Sequence, residues 1–453
     1  MESKSLRVGQ SIELEIDGVG AAGEGVGRLD GRAVFVPRAL PGEQVIARIV
    51  HLGSKKVAAE PVKILKPSPQ RREPVCSVFG RCGGCQLMHA DYPAQLELKR
   101  RILGDALLSI AGIETESLPV AEAPHPLCYR NRGQYPVSRK KGKVVTGFFA
   151  PRTHEVVAVS KCHIHDPRVD RAVACVRAWA DRKRIPVYDE RRHRGFLRHV
   201  VVRAAGETGE VLVVLVGRSE RNLPAGDLLH RLRREVPELA GVVLNINPAR
   251  TNVILGKRNR TLWGRDYLEE MFMSLKLKLS VGSFFQVNTA QARVLFDKVR
   301  GFIGKPQGPV VDAYCGVGVL ATLLSKEGHP TVGIDSAAPA IEDARAIAAD
   351  NRIETATFHL GRAEKLLPRL VERGLNPRAV ILDPPRKGCA PEVVDAVAAS
   401  GAERIAYVSC HPGTLSRDLK RFLQSGYRLD TIEGIDMFPQ TSHLEVLAGL
   451  VRT

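Results

Sequence analysis

Between Val310 and Ser409 the chain carries five short aliphatic runs: Val310 to Tyr314, Thr331 to Asp335, Ala356 to Leu360, Ala379 to Asp383 and Ile405 to Ser409. Helix-patterned segments separate them, and short runs apolar on both faces that alternate with helices predict a doubly wound parallel sheet. In such sheets ligands bind beyond the carboxyl ends of the strands, so chemistry is expected in the loops that leave them. Two of these loops are unusual. Leu382-Asp383-Pro384-Pro385-Arg386-Lys387-Gly388 sets an acid before a rigid double proline, and Tyr407-Val408-Ser409-Cys410-His411-Pro412 sets a thiol at the next strand end. A lone free cysteine is most often a small buried hydrophobe, but a thiol beside an acid at this edge predicts a covalent catalytic site.

The first run leads into Cys315-Gly316-Val317-Gly318 and a helix through Leu324, so the turn can pass close to a ligand. The second run ends in Asp335, the position from which an acid grips a ribose diol. One Gly-x-Gly and one strand-end acid suit a nucleoside cofactor without a pyrophosphate, which favours S-adenosylmethionine over a nicotinamide dinucleotide. Upstream, Ser283-Phe284-Phe285-Gln286-Val287-Asn288-Thr289 precedes a helix expected from about Ala290. Asn288 or Thr289 reads as its cap and the two phenylalanines as core. Gln286, with a donor and an acceptor, is a candidate for holding a nucleobase or the amino-acid part of a cofactor.

The N-terminal segment, Leu6 to about Leu65, alternates apolar and polar residues in runs such as Ser11 to Ile16 and Gln44 to Val50, separated by glycine-rich turns. The stretch Gly18 to Gly27 lacks the Lys-Ser/Thr and the following helix of a phosphate loop, and reads as a barrel turn. With Arg32 to Pro37 and Leu40 to Glu43, the segment resembles the TRAM domain, a small RNA-binding β-barrel. The proline-rich basic linker Lys66 to Pro74 leads to Cys76, Cys82 and Cys85, with Cys162 further on. Thiolates so spaced among glycines predict a soft metal centre, either zinc or an iron-sulfur cluster.

Lys plus Arg number 67 against 49 Asp plus Glu, a net charge of +18, which points to a polyanionic partner, for a soluble chain most often nucleic acid. No apolar run is long enough to span a membrane and Met1 to Arg7 lacks a leader core, so a cytoplasmic protein without a membrane partner is expected. In a reducing compartment the nine cysteines then point to metal binding or catalysis, not disulfides. From about Tyr92 to Leu279 the pattern is α+β: a helix over Gln95 to Ala111 with Leu96, Ile102, Leu103, Leu107 and Leu108 as core, strands at His199 to Arg203 and Val211 to Val216, and a helix near Gly226 to Val236. Basic clusters at Arg130 to Arg132, Arg139 to Lys143 and Arg191 to Arg194 suit phosphates or a solvated face equally.

In order and context, Asp312 to Gly318, Asp383 to Gly388, Tyr407 to Leu419 and Ser442-His443-Leu444-Glu445 resemble the RNA uracil-carbon-5 methyltransferases, which make 5-methyluridine in ribosomal and transfer RNA. The resemblance implies a multidomain chain: a TRAM-like barrel over 1–66, a central α+β domain with an iron-sulfur loop over 67–280, and a Rossmann-like methyltransferase domain over 281–453. It implies that Cys410 is the nucleophile and Glu445 the base, that Gln286, Tyr314, Asp335 and Asp383 bind S-adenosylmethionine or the uracil edge, and that Cys76, Cys82, Cys85 and Cys162 hold a four-iron four-sulfur cluster. Glu445 read locally could be an exposed strand residue. Cys389 competes as nucleophile and ranks below Cys410, because the family motif places the thiol after the Tyr-Val-Ser strand. His411 stands where many relatives carry Asn. The expected substrate is ribosomal RNA, with transfer RNA as the alternative, and the expected state is a monomer. A cytosine-5 methyltransferase and a non-catalytic iron-sulfur RNA-binding protein or redox sensor are the competing classes.

Overall fold

The computed structural model describes residues 6–53, 56–115, 117–220, 223–305 and 307–453. Met1 to Ser5, read above for the absence of a leader core, lie outside them. Strands β1 (Ser11–Val19), β2 (Gly25–Leu29), β3 (Arg32–Val36), β4 (Gln44–Leu52) and β5 (Lys56–Lys66) close into a barrel in the order β1-β2-β3-β5-β4. Alternation drives the closure: Ile12, Leu14 and Ile16 fill the interior with Val34, Val45 and Val57, while Glu13 and Glu15 face water. A Cβ on Gly27 would lie 2.2 Å from the Glu15 carbonyl oxygen, so only glycine fits where β2 crosses β1. Buried Glu43 ties the linker to the barrel, accepting from Arg71 Nε at 2.6 Å and from the Ser68 and Leu40 amides.

Helix α1 (Tyr92–Ala106) begins at Asp91, whose side chain caps the Ala94 amide. It ends in a π-helical turn, Leu107–Ala111, closed by left-handed Gly112. The wider turn rotates Leu108 out to 53% exposure, against its expected place in the core. A short strand β6 (Val120–Ala121) follows. The central sheet comprises β7 (Arg132–Lys140), β8 (Lys143–Phe149), β9 (Val156–Ala158), β10 (Leu197–Ala204), β11 (Val211–Gly217), β12 (Leu239–Ile246) and β13 (Arg258–Gly264), ordered β13-β12-β11-β10-β7-β8-β9. Helices α2 (Pro167–Arg182) and α3 (Ala225–Glu235) cover it through Trp179, Val176, Leu228 and Leu232.

The hairpin β14 (Tyr267–Phe272) and β15 (Leu275–Ser280) packs Leu275, Leu277 and Leu279 into the core beneath α4 (Thr289–Ile303). The C-terminal sheet is built from β16 (Val310–Asp312), β17 (Thr331–Asp335), β18 (Ala356–Leu360), β19 (Ala379–Leu382), β20 (Arg404–Ser409), β21 (Tyr427–Ile435) and β22 (Glu445–Arg452). Its order is β18-β17-β16-β19-β20-β22-β21-β6, so the chain winds outward from β16 to β18 and then crosses back to β19. Helices α5 (Val319–Lys326), α6 (Ala338–Asp350), α7 (Ala363–Glu372), α8 (Pro391–Ala399) and α9 (Pro412–Gln424) complete the layers. Strands β16 to β20 are parallel, which brings Asp312, Asp335, Asp383 and Cys410 to one edge at the reversal of strand order. Strand β22 runs antiparallel between β20 and β21, and its pairing of Val446 with Ser409 puts Glu445 opposite Cys410. Among the described residues, no helix is long and apolar enough to cross a membrane.

Candidate active site

Cys410 leaves buried β20 and is itself half-buried. The chain turns at once into α9, with His411 as cap: its Nδ1 accepts the Thr414 amide at 3.2 Å, and Pro412 opens the first turn. A helix N-terminus beside a sulfur favours the thiolate. Burial works against it, as do Glu445 and Asp383, while Arg386 works for it; together they push the Cys410 thiol up to about 11.

The loop after β19 is held from below. Gly388 adopts φ 76°, and a Cβ there would meet the Arg417 guanidinium and the Asp418 carboxylate at 2.6 Å. Arg417 Nη2 donates to the Lys387 and Cys389 carbonyls. Cys389 is only 5% exposed, and burial raises its thiol to about 12, between the Tyr407 and Tyr314 hydroxyls. It packs in the core, where a substrate ring has no room.

Gln286, Tyr314, Asp335, Asp383, Cys410 and Glu445 all line one cavity of about 990 Å³. Glu445 is 4% exposed, so it faces this cavity and not solvent. Burial, then Asp383, lifts its carboxyl well above the ordinary range, and burial lifts Asp383 to about 7. The glycine turn borders the same space: Gly316 and Gly318 have φ of 54° and 69°, and the Gly316 amide donates to Asp335 Oδ2 at 3.1 Å. Open space lies where a Gly316 side chain would be, while Gly318 is pressed against the Phe358 ring.

Against these features the comparisons with known proteins are consistent. A tRNA (uracil-5-)-methyltransferase family model matches residues 251–452, and a TRAM-domain model matches residues 5–62. An RNA methyltransferase of Caldanaerobacter subterraneus is 39% identical over 450 residues, covering 99% of each chain. One of Clostridium tetani is 36% identical over 443 residues, covering 98% of this chain and 96% of that protein. The crystal structure of Pyrococcus abyssi tRNA (uracil-54, C5)-methyltransferase in complex with S-adenosyl-L-homocysteine superposes with a TM-score of 0.78 at 29% identity, covering 97% of this chain and 99% of that one. The chain belongs to the RNA uracil-5-methyltransferase family. It is an S-adenosylmethionine-dependent enzyme that methylates uracil carbon 5 in RNA, with an N-terminal TRAM barrel.

In this methyltransferase the expected ligand cysteines meet across sequence. Cys76, Cys82, Cys85 and Cys162 line a second cavity of about 410 Å³, and Cys410, Arg130, Arg386 and His443 form part of its wall. Burial and then the neighbouring thiols Cys162, Cys82 and Cys76 drive the Cys85 thiol upward, against the smaller opposing effect of Arg130. The Cys162 amide donates to Asp170 Oδ2 at 2.9 Å, and Asp170 Oδ1 accepts the Tyr135 hydroxyl. All nine cysteines are free. Among the described residues, no three His, Cys, Asp or Glu side chains close to the geometry of a metal-ion site.

Residues to which the sequence motifs gave no individual role also line these cavities. Asp312 is buried in a narrower adjoining cavity, and burial together with Asp383 raises its carboxyl to about 8. Arg130 and Arg386 bring positive charge to the wall beside Cys410. The two phenylalanines part company: Phe285 is core, but Phe284 is 59% exposed on the rim of the 990 Å³ cavity. Adjacent side chains of an extended segment point to opposite sides, which a reading of both as core overlooks.

Proposed function

We propose that Cys410 performs this reaction as the nucleophile and Glu445 as the base, on a uridine held in the 990 Å³ cavity. The observation that carries the reading is the β20–β22 register, which sets the two residues opposite one another on a wall shared with Gln286, Tyr314, Asp335 and Asp383. Carbon 5 of uracil is a poor nucleophile. Addition of the Cys410 thiolate to carbon 6 pushes the ring electrons toward oxygen 4 as an enolate, which the Arg130 and Arg386 charges favour. S-adenosylmethionine, bound by Asp335 and Gln286, supplies the methyl that carbon 5 takes up as S-adenosylhomocysteine departs. Glu445 then removes the proton from carbon 5. The carbon–sulfur bond breaks, its electron pair returns to Cys410, and the ring double bond re-forms. A carboxylate with a raised pKa in a dry pocket suits that step. Since the target carbon lies inside folded RNA, the base must be extruded or unpaired, with the basic surface and barrel holding the strand.

The same reading assigns Cys76, Cys82, Cys85 and Cys162 to a four-iron four-sulfur cluster, supported by their shared cavity and by the family resemblance. It keeps the division at residues 66 and 280 between barrel, central domain and catalytic domain. Ribosomal RNA is the target expected from the resemblance. Transfer RNA is a second reading, favoured by the near full-length likeness to the Pyrococcus abyssi enzyme. RNA containing 5-fluorouridine tests the mechanism, because fluorine at carbon 5 cannot leave as a proton. A stable protein–RNA adduct that is lost in Cys410→Ala supports it, and no adduct with the wild type overturns it. Mapping 5-methyluridine in ribosomal and transfer RNA from cells lacking the protein decides the target.

A further inference from the structure

Residues 436–444 form a strap between β21 and β22, closed at its base by the pairing of Ile435 with Glu445. Five consecutive strap carbonyls are each taken by a donor from elsewhere in the chain. The Asp436 oxygen accepts from Gln291 Nε2 at 3.1 Å, that of Met437 from Asn288 Nδ2 at 3.3 Å, and that of Phe438 from Lys99 Nζ at 3.1 Å. The Pro439 oxygen accepts the Tyr129 hydroxyl at 3.0 Å, and that of Gln440 accepts the Gln86 and Leu87 amides from the cysteine loop. Gln440 takes a left-handed φ of 71°, held by a reciprocal amide pair with Gln95. At the centre is an ion pair between Lys99 of α1 and Asp436, 2.5 Å apart, with both side chains wholly buried. Tyr92 adds a hydroxyl to the other Asp436 oxygen at 3.0 Å.

A buried ion pair is a poor source of stability, because desolvation offsets its attraction and an apolar pair of the same volume does as well. Its geometric effect is specific, since charge and direction fix where the strap lies. The strap also borders both cavities: Phe438 lines the two, and Thr441 and His443 line the one with the cysteines. No hydrogen bond fastens the Glu445 carboxylate among the described residues, so its position follows from the backbone that carries it.

We propose that Lys99 is a positioning residue for proton removal from carbon 5: through Asp436 and the Phe438 carbonyl it fixes the strap and thereby the placement of Glu445. The inference rests on the reading of Glu445 as the base. Lys99 is wholly buried and lines neither cavity, so its effect falls on one step, the collapse of the methylated adduct.

The test uses the full-length enzyme with S-adenosylmethionine and ordinary uridine RNA, following covalent complex on denaturing gels alongside free methylated RNA. Lys99→Met is expected to slow product release on the order of tenfold, as a small displacement of a reacting group does. Methylated adduct is then expected to accumulate, as it should in Glu445→Gln, while adduct formation with 5-fluorouridine RNA stays within about twofold of the wild type, because that step does not need the base. If Lys99→Met does not fold, Asp436→Asn, which keeps the shape and removes the charge, gives the same readout. Equal loss of adduct formation and turnover, with no accumulation, reduces the pair to scaffolding and overturns the proposal. A Glu445→Gln enzyme that releases product at the wild-type rate overturns the base assignment instead, which keeps the two failures apart.

Discussion

The Tyr407 hydroxyl donates to Asp418 Oδ2 at 2.6 Å, joining β20 to α9 beneath the thiol loop. The same oxygen accepts the Cys389 amide at 2.8 Å, so one buried carboxylate bolts the loop carrying Arg386 to the loop carrying Cys410. Asp418→Ala strands a buried hydroxyl and an amide, and is expected to cost about 3 kcal/mol in urea unfolding. Tyr407→Phe leaves Asp418 its amide and Arg417 partners and should cost about 1 kcal/mol.

The two thiols at these loops should separate cleanly. Cys389→Ala is expected to keep adduct formation with 5-fluorouridine RNA and to lose about 1 kcal/mol of stability, in keeping with a small core side chain. Cys410→Ala is expected to form no adduct while remaining folded by circular dichroism.

Arg386 opposes the burial and the carboxyls that hold the Cys410 thiol near 11. A thiol titrating there is mostly protonated at neutral pH, so adduct formation should speed up as pH rises from about 7 to about 9. Arg386→Met raises the thiol further and is expected to slow adduct formation about tenfold at neutral pH, displacing the rate–pH curve to higher pH.

Asp312 has an ordinary carboxyl value of 3.8 and titrates at about 8 in the folded chain. Between those values the folded protein holds a proton that the unfolded chain has released, so stability is full at the acid end and falls as pH rises. The melting temperature of the ligand-free protein should therefore drop from about pH 5 to about pH 8, and Asp312→Asn should flatten that slope.

If the four gathered thiols hold a cluster, protein purified without air will contain iron and acid-labile sulfide, and Cys85→Ser will contain neither. Zinc without sulfide in the same assay would assign the site to a single ion.

Much of this is legible in the sequence. Short apolar runs ending in Asp312, Asp335, Asp383 and Ser409, alternating with helices, predict parallel strands delivering their ends to one edge, because a strand buried on both faces has no polar residue to spare until it emerges. A helix cap at Asn288 or Thr289 is recognisable because a cap acts within three residues, and the structure gives that place to Asn288. The barrel followed from alternation, a property of neighbouring residues along one strand.

What local pattern did not carry was the partner across a gap. Glu445 opens an apolar strand and reads the same whether it meets water or a cavity; only the insertion of β22 between β20 and β21, in the register that pairs Val446 with Ser409, decides that it faces Cys410. The gathering of Cys162 with Cys76, Cys82 and Cys85 and the reach of Lys99 to Asp436 likewise come from packing between distant segments. Hydrogen-bonding type and hydrophobic period are written residue by residue, so the elements and the reactive groups are determined by the sequence. Register and crossover are settled by how whole layers bury their surfaces together, and at this edge they bring Cys410, Glu445 and the residues proposed to hold the cofactor to one cavity.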